Sequence, residues 1–139
     1  MSYEIPELGR PLPKLNADTE PWWAALKRHQ LLVQTCSDCE MAIHPPRPMC
    51  PNCRSMELSW SPSSGKGSVY SWVIINRAFH PYFMEKIPFA VVLVEMEDGT
   101  RLVGSIDCEN DQLEDGLPVE VTFDDVDDDF SMLLFRVVR

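Results

Sequence analysis

A mainly β fold is predicted for this chain, and three observations predict it. Two Cys-x-x-Cys pairs, Cys36 with Cys39 and Cys50 with Cys53, stand ten residues apart. A short amphipathic helical segment precedes them, and five strand-patterned segments separated by turn residues follow. The division this implies is an N-terminal arm and helix over residues 1–30, a metal-braced ribbon over 31–61 and a β-barrel over 62–139.

The cysteines carry the most specific chemistry. Each pair brings two thiolates from one tight turn to a single ion, and two such turns facing each other complete a tetrahedral Zn2+ shell. Four thiolates leave no open position for water or substrate, so this zinc is structural and His44, beside the ribbon, is not needed as a ligand. The linker is shorter than the roughly fifteen to twenty residues of one common ribbon pattern, but Pro45, Pro46 and Pro48 make it stiff. A disulfide framework would leave Cys108 unpaired, and no apolar segment follows Met1 as a signal peptide would. Reduced thiols imply a cytoplasmic setting, and Cys108 reads as a small core hydrophobe.

The other elements follow from capping, alternation and turn chemistry. Met1 to Asn16 bears prolines without periodicity and reads as an extended arm. Asp18 or Thr19 can cap a three-turn helix, with Glu20 and Pro21 in its first turn and Lys27, Arg28 and His29 in its last, each sign suited to the helix dipole. Trp22 and Trp23 give this helix more aromatic surface than it can bury alone, so they either pack on the rest of the chain or form a docking surface. Leu31–Thr35 and Glu57–Trp60 are the ribbon strands. Beyond the loop Ser61–Gly65 come strands at Gly67–Asn76, Phe89–Glu97, Arg101–Cys108, Val119–Phe123 and Phe130–Val138. Five short strands with a longer break between the third and fourth match the plan of an OB-fold barrel.

Charge narrows the partners. The net charge is -10, and its acidity is local: residues 91–139 hold fourteen Asp/Glu against three Lys/Arg, whereas residues 1–60 hold seven against six. Such a chain repels polyanions at long range, which disfavours nucleic acid. The tract Asp124–Asp129 lies between apolar runs and reads as a solvated loop. No run of eighteen apolar residues is present, so no membrane span is expected.

Several stretches together resemble one family. They are the Trp-bearing helix, Leu31–Cys39, Pro45–Cys53, Gly65–Trp72, Pro88–Glu95 and the Gly116-x-Pro118-Val119 step. The chain is identified as a member of the family catalogued as domain of unknown function thirty-five, an OB-fold preceded by a rubredoxin-like zinc ribbon. The resemblance implies a non-catalytic accessory subunit that binds acyl-CoA and partners a thiolase-fold enzyme, either a thiolase or a lipid-transfer-protein-like aldolase of steroid side-chain breakdown. The partner would supply the catalytic groups. The sequence departs from the family at Arg54, where glycine is common, and at Trp22, where phenylalanine is frequent.

A CoA thioester carries phosphates, an adenine and an apolar arm, so its site should combine cations, aromatics and a groove. Arg47, Arg54, Lys66 and Arg77 are the candidate phosphate contacts, and Trp72 is a candidate stacking surface. The loop Arg77–Phe83 reads either as a lid or docking loop, with His80 and Tyr82 as contacts, or as a self-packed cap on the barrel. Two other functions stay open. Tyr70, Trp72 and Phe89 could stack single-stranded nucleic acid, and His80 could act as a general base, although no nucleophile or carboxylate pairs with it in the sequence.

Overall fold

The computed structural model describes residues 10–138, so most of the expected arm, residues 1–9, lies outside the described residues. In chain order the elements are α1 (Glu20–Lys27), β1 (Leu32–Cys36), β2 (Ala42–Ile43), β3 (Leu58–Pro62), β4 (Lys66–Ile75), β5 (Phe89–Met96), β6 (Arg101–Asp107), β7 (Pro118–Asp125) and β8 (Ser131–Val137). Short 3-10 turns lie at Pro81–Phe83 and Asn110–Gln112.

Strands β1 to β3 form a small antiparallel sheet in the order β2-β1-β3, and the other five close into a barrel in the order β4-β5-β6-β8-β7. The one parallel pairing, β6 with β8, and the β4–β7 pairing close the ring. This is the OB plan expected from the five segments. The closing pairings are short, with β4 meeting β7 only over Lys66–Ser68 and β6 meeting β8 only over Ser105–Asp107, so the barrel is closed at its seams over three residue pairs each.

Alternation decides what fills the barrel. Val92 and Val94 of β5, Leu102 of β6, Val119 of β7 and Leu133 and Phe135 of β8 point inward and are buried. Burying each such side chain is worth about 1.5–3 kcal/mol. Gly104 makes room for the central ring, since a Cβ there would stand 3.0 Å from Phe135. A bulge between Val69 and Ser71 shifts the β4 register. It lets Val69 bond the Gly116–Leu117 backbone while Tyr70 turns outward.

Helix α1 has eight residues, nearer two turns than the expected three. Neither Asp18 nor Thr19 caps it through a side chain. Instead Asn16 Oδ1 accepts from the Asp18 and Thr19 N–H groups, building a turn that leads into the helix. At the other end His29 is left-handed, with φ 57°, and its N–H and that of Gln30 close on Leu26 and Ala25. That is the Schellman stop usually made by glycine. The His29 ring stacks on Phe123 at 5.2 Å and bonds Asp125 at 2.8 Å, holding the helix end against β7.

Trp22 is buried with Leu26 in the barrel-side core, and Trp23 packs against that core half-buried. Of the expected docking surface, Trp22 is therefore spent within the chain, because the barrel offers apolar area the helix lacks. Among the described residues no helix is long and apolar enough to cross a membrane.

Candidate metal centre and barrel-end cleft

Two near-identical turns build the metal centre. In the first, the Glu40 N–H donates to Cys36 O and the Cys36 N–H to Met41 O; in the second, Arg54 donates to Cys50 O and Cys50 to Ser55 O. Each turn needs a left-handed residue just after its second cysteine, and Glu40 (φ 63°) and Arg54 (φ 65°) fill these places. Glycine adopts this conformation freely. Arg54 therefore preserves the knuckle's shape at a local conformational cost.

The four Sγ atoms lie within 4.8 Å of one another, with Cys36–Cys53 at 3.5 Å and Cys39–Cys50 at 3.6 Å. A tetrahedron with Zn–S bonds near 2.3 Å has S···S edges of about 3.8 Å, so the set fits Zn2+. Backbone N–H groups of Cys39 and Asn52 point at the sulfurs of Cys36 and Cys50, as a thiolate shell requires. Cys39 is lowered to about 6, first by its hydrogen bond with the Asn52 side chain and then by the Met41 backbone. At Cys53 the Ser55 backbone favours the thiolate, but hydrogen bonding with Cys36, then desolvation and the other two thiols, outweigh it and push this thiol up to about 12. Four thiols this close cannot all ionise without a cation among them.

Gln34, absent from the sequence-based candidates, holds the linker. Buried on β1, its Nε2 donates to Arg47 O at 2.9 Å while its Oε1 accepts from the Arg47 N–H at 2.8 Å. The Arg47 backbone is pinned and its side chain is exposed. An amide inside a strand of apolar residues was the available signal.

The other candidates are dispersed. Lys66 is exposed at the start of β4, opposite Glu120. Trp72 faces inward and packs on the core, on the opposite side of β4 from Ser71 and Val73. Tyr70 faces outward beneath the Arg101 guanidinium, 4.0 Å from its ring, and Phe89 stacks on Phe83. The three aromatics weighed for nucleic-acid stacking thus share no open face. Arg77 lies over Phe79, which is 86% exposed. His80 Nδ1 accepts from the Tyr82 N–H at 3.1 Å and caps the 3-10 turn, so that nitrogen is committed to structure.

The loop shapes a cleft of about 370 Å3 at one end of the barrel. Phe83, Phe89, Ile106 and Leu133 supply apolar walls; Arg10, Lys86 and Tyr82 line its rim. Lys86 Nζ lies 4.9 Å from the Tyr82 ring centre, and Arg10 binds Asp124 at 2.7 Å. Of the residues weighed for CoA or partner contact, Tyr82 alone lines this cleft, and Phe89, weighed for nucleic-acid stacking, is one of its walls. Cys108 lines it too, but burial, then Asp107, Glu109 and Asp111, raise its pKa, which makes it a poor nucleophile. The acidic tract is only partly a solvated loop. Asp124 and Asp125 lie in β7 and hold Arg10 and His29, whereas Asp127 closes the β7–β8 turn by accepting from the Asp129 and Phe130 N–H groups.

Residues 23–59 match the family model described as "ChsH2, rubredoxin-like zinc ribbon domain", and residues 60–124 match "ChsH2, C-terminal OB-fold domain". A DUF35 domain-containing scaffold protein of Methanocaldococcus jannaschii is 31% identical over 78% of this chain and 77% of that protein. The chain belongs to the DUF35 family. It is 36% identical, over 94% of its length, to a probable enoyl-CoA hydratase alpha subunit of Thermomonospora curvata, of which it spans 41%. Among solved structures it resembles a chain of the "Ltp2-ChsH2(DUF35) aldolase", at 35% identity and TM-score 0.83, covering 91% of this chain and 98% of that one.

Proposed function

We propose that this chain is a non-catalytic accessory subunit of an enzyme that processes acyl-CoA thioesters, and that its partner is a thiolase-fold protein of the thiolase or lipid-transfer-protein-like aldolase type. One observation carries the reading: the close likeness, over nearly its whole length, to a chain of the Ltp2-ChsH2(DUF35) aldolase. The site chemistry agrees with it. Zinc in a closed thiolate shell cross-links the ribbon, one ring nitrogen of His80 is taken up by a turn, and burial beside three carboxylates raises the pKa of the Cys108 thiol.

In this proposal Arg47, Arg54, Lys66 and Arg77 offer cations to the phosphates of CoA or to acidic groups of the partner. Tyr82 and His80 contribute from the loop over the barrel-end cleft, and the exposed part of Trp23 adds apolar surface. Trp72 acts from beneath, by supporting β4. The subunit works in the cytoplasm, in keeping with five cysteines of which none is in a disulfide.

Co-expression with a thiolase-fold candidate partner tests the reading. The two chains are expected to purify together, and Arg47→Ala or Tyr82→Ala should weaken binding of the acyl-CoA to the complex by several-fold or more. Separate elution of the two chains at micromolar concentration contradicts the assembly; unchanged acyl-CoA binding in both variants contradicts the assigned contacts.

A further inference from the structure

Helix α1, the ribbon and the barrel meet at one small junction. Trp22 comes from the helix, His44 from just beyond β2, and Asp98 and Thr100 from the β5–β6 turn. Trp22 is only 8% exposed, and its Nε1–H is buried with no acceptor among the described residues. Leaving a buried donor unpaired costs about 1–3 kcal/mol, so native chains usually supply a partner from protein or from ordered water.

The junction encloses about 10 Å3 of room for a water's centre. One water needs roughly 10–15 Å3 on that measure, together with two to four polar partners. Three partners are at hand. The indole offers a donor. The His44 ring lies 5.6 Å from it, centre to centre, and burial lowers its pKa, so at neutral pH one ring nitrogen is free to accept. Asp98 Oδ1 already takes the Thr100 N–H at 2.9 Å and the Thr100 hydroxyl at 2.5 Å, which leaves Oδ2 as a further acceptor.

We infer that this junction binds one ordered water, which accepts from Trp22 Nε1–H and donates to the His44 ring and to the Asp98 carboxylate. That arrangement satisfies the indole and gives the water the usual three hydrogen bonds. It also joins the three parts of the chain through a single molecule. The sequence already holds the pieces, a tryptophan in the helix and a histidine that zinc does not need.

A near-atomic-resolution crystal structure of the zinc-loaded full chain tests this, together with the NMR cross-peak between the Trp22 indole N–H and water. We expect a single ordered water within hydrogen-bond reach of Trp22 Nε1, and a cross-peak showing that it is long-lived. Trp22→Phe should lose the water; His44→Phe, which keeps the indole, should lose it or shorten its residence enough to erase the cross-peak. Should either variant fail to fold, the two measurements on the unaltered chain still decide. A dry junction overturns the inference, as does an indole N–H bonded directly to the His44 ring.

Discussion

At residue 34 a polar amide is buried where the strand pattern suits an apolar side chain, and both its ends serve the Arg47 backbone. Gln34→Ala would remove both hydrogen bonds to the Arg47 backbone at a part-buried site and leave a small cavity in β1, so it should lower stability by about 1–3 kcal/mol in denaturant titrations. Arg54 separates structure from function. Its left-handed backbone makes Arg54→Gly neutral or stabilising by up to about 1 kcal/mol and Arg54→Val destabilising, while either loses the proposed cation. His44 supplies a pH dependence. Burial lowers its pKa from the ordinary 6.5, so between the folded and unfolded values the unfolded chain binds the extra proton. Stability should therefore fall as pH drops below about 6.5 and through the folded value. His44→Gln should flatten that part of a stability-against-pH curve.

Among the elements, the ribbon was the most legible, because metal spacing fixes two turns at once. The four cysteines and both long ribbon strands could be read directly, whereas β2, only two residues at Ala42–Ile43, was hidden beside a proline-bearing linker that suggests a loop. The helix was recognisable from its charges and tryptophans. Its Asn16 turn was not, because Asp18 and Thr19 offer equally good capping chemistry nearer the helix. Nor was the His29 stop, which depends on Phe123 and Asp125 from β7, almost a hundred residues away. Cys36→Ser or Cys50→Ser should release zinc and unfold the ribbon while the barrel strands remain, seen as lost metal content with most of the β circular dichroism retained. Full metal content in either variant would contradict the four-thiolate centre.

On the scale of the whole molecule, the OB barrel could be anticipated from five strands and a long third connection, but its strand order could not. The β6–β8 parallel pairing and the barrel-end cleft depend on distant segments brought together, and Arg10 and Lys86 draw meaning only from that geometry. The same limit applies to function: four thiolates explain a brace, whereas the proposed partner contacts come from ribbon, loop and barrel residues that only folding places. In the proposed function, chemistry resides in the partner and this chain completes the complex. Turnover of a β-ketoacyl-CoA or β-hydroxyacyl-CoA, measured with the purified chain alone, the thiolase-fold partner alone and both together, tests it most directly. No turnover is expected from this chain alone and a clear gain when it joins its partner; turnover by the isolated chain, or partner activity indifferent to its presence, would contradict the proposal.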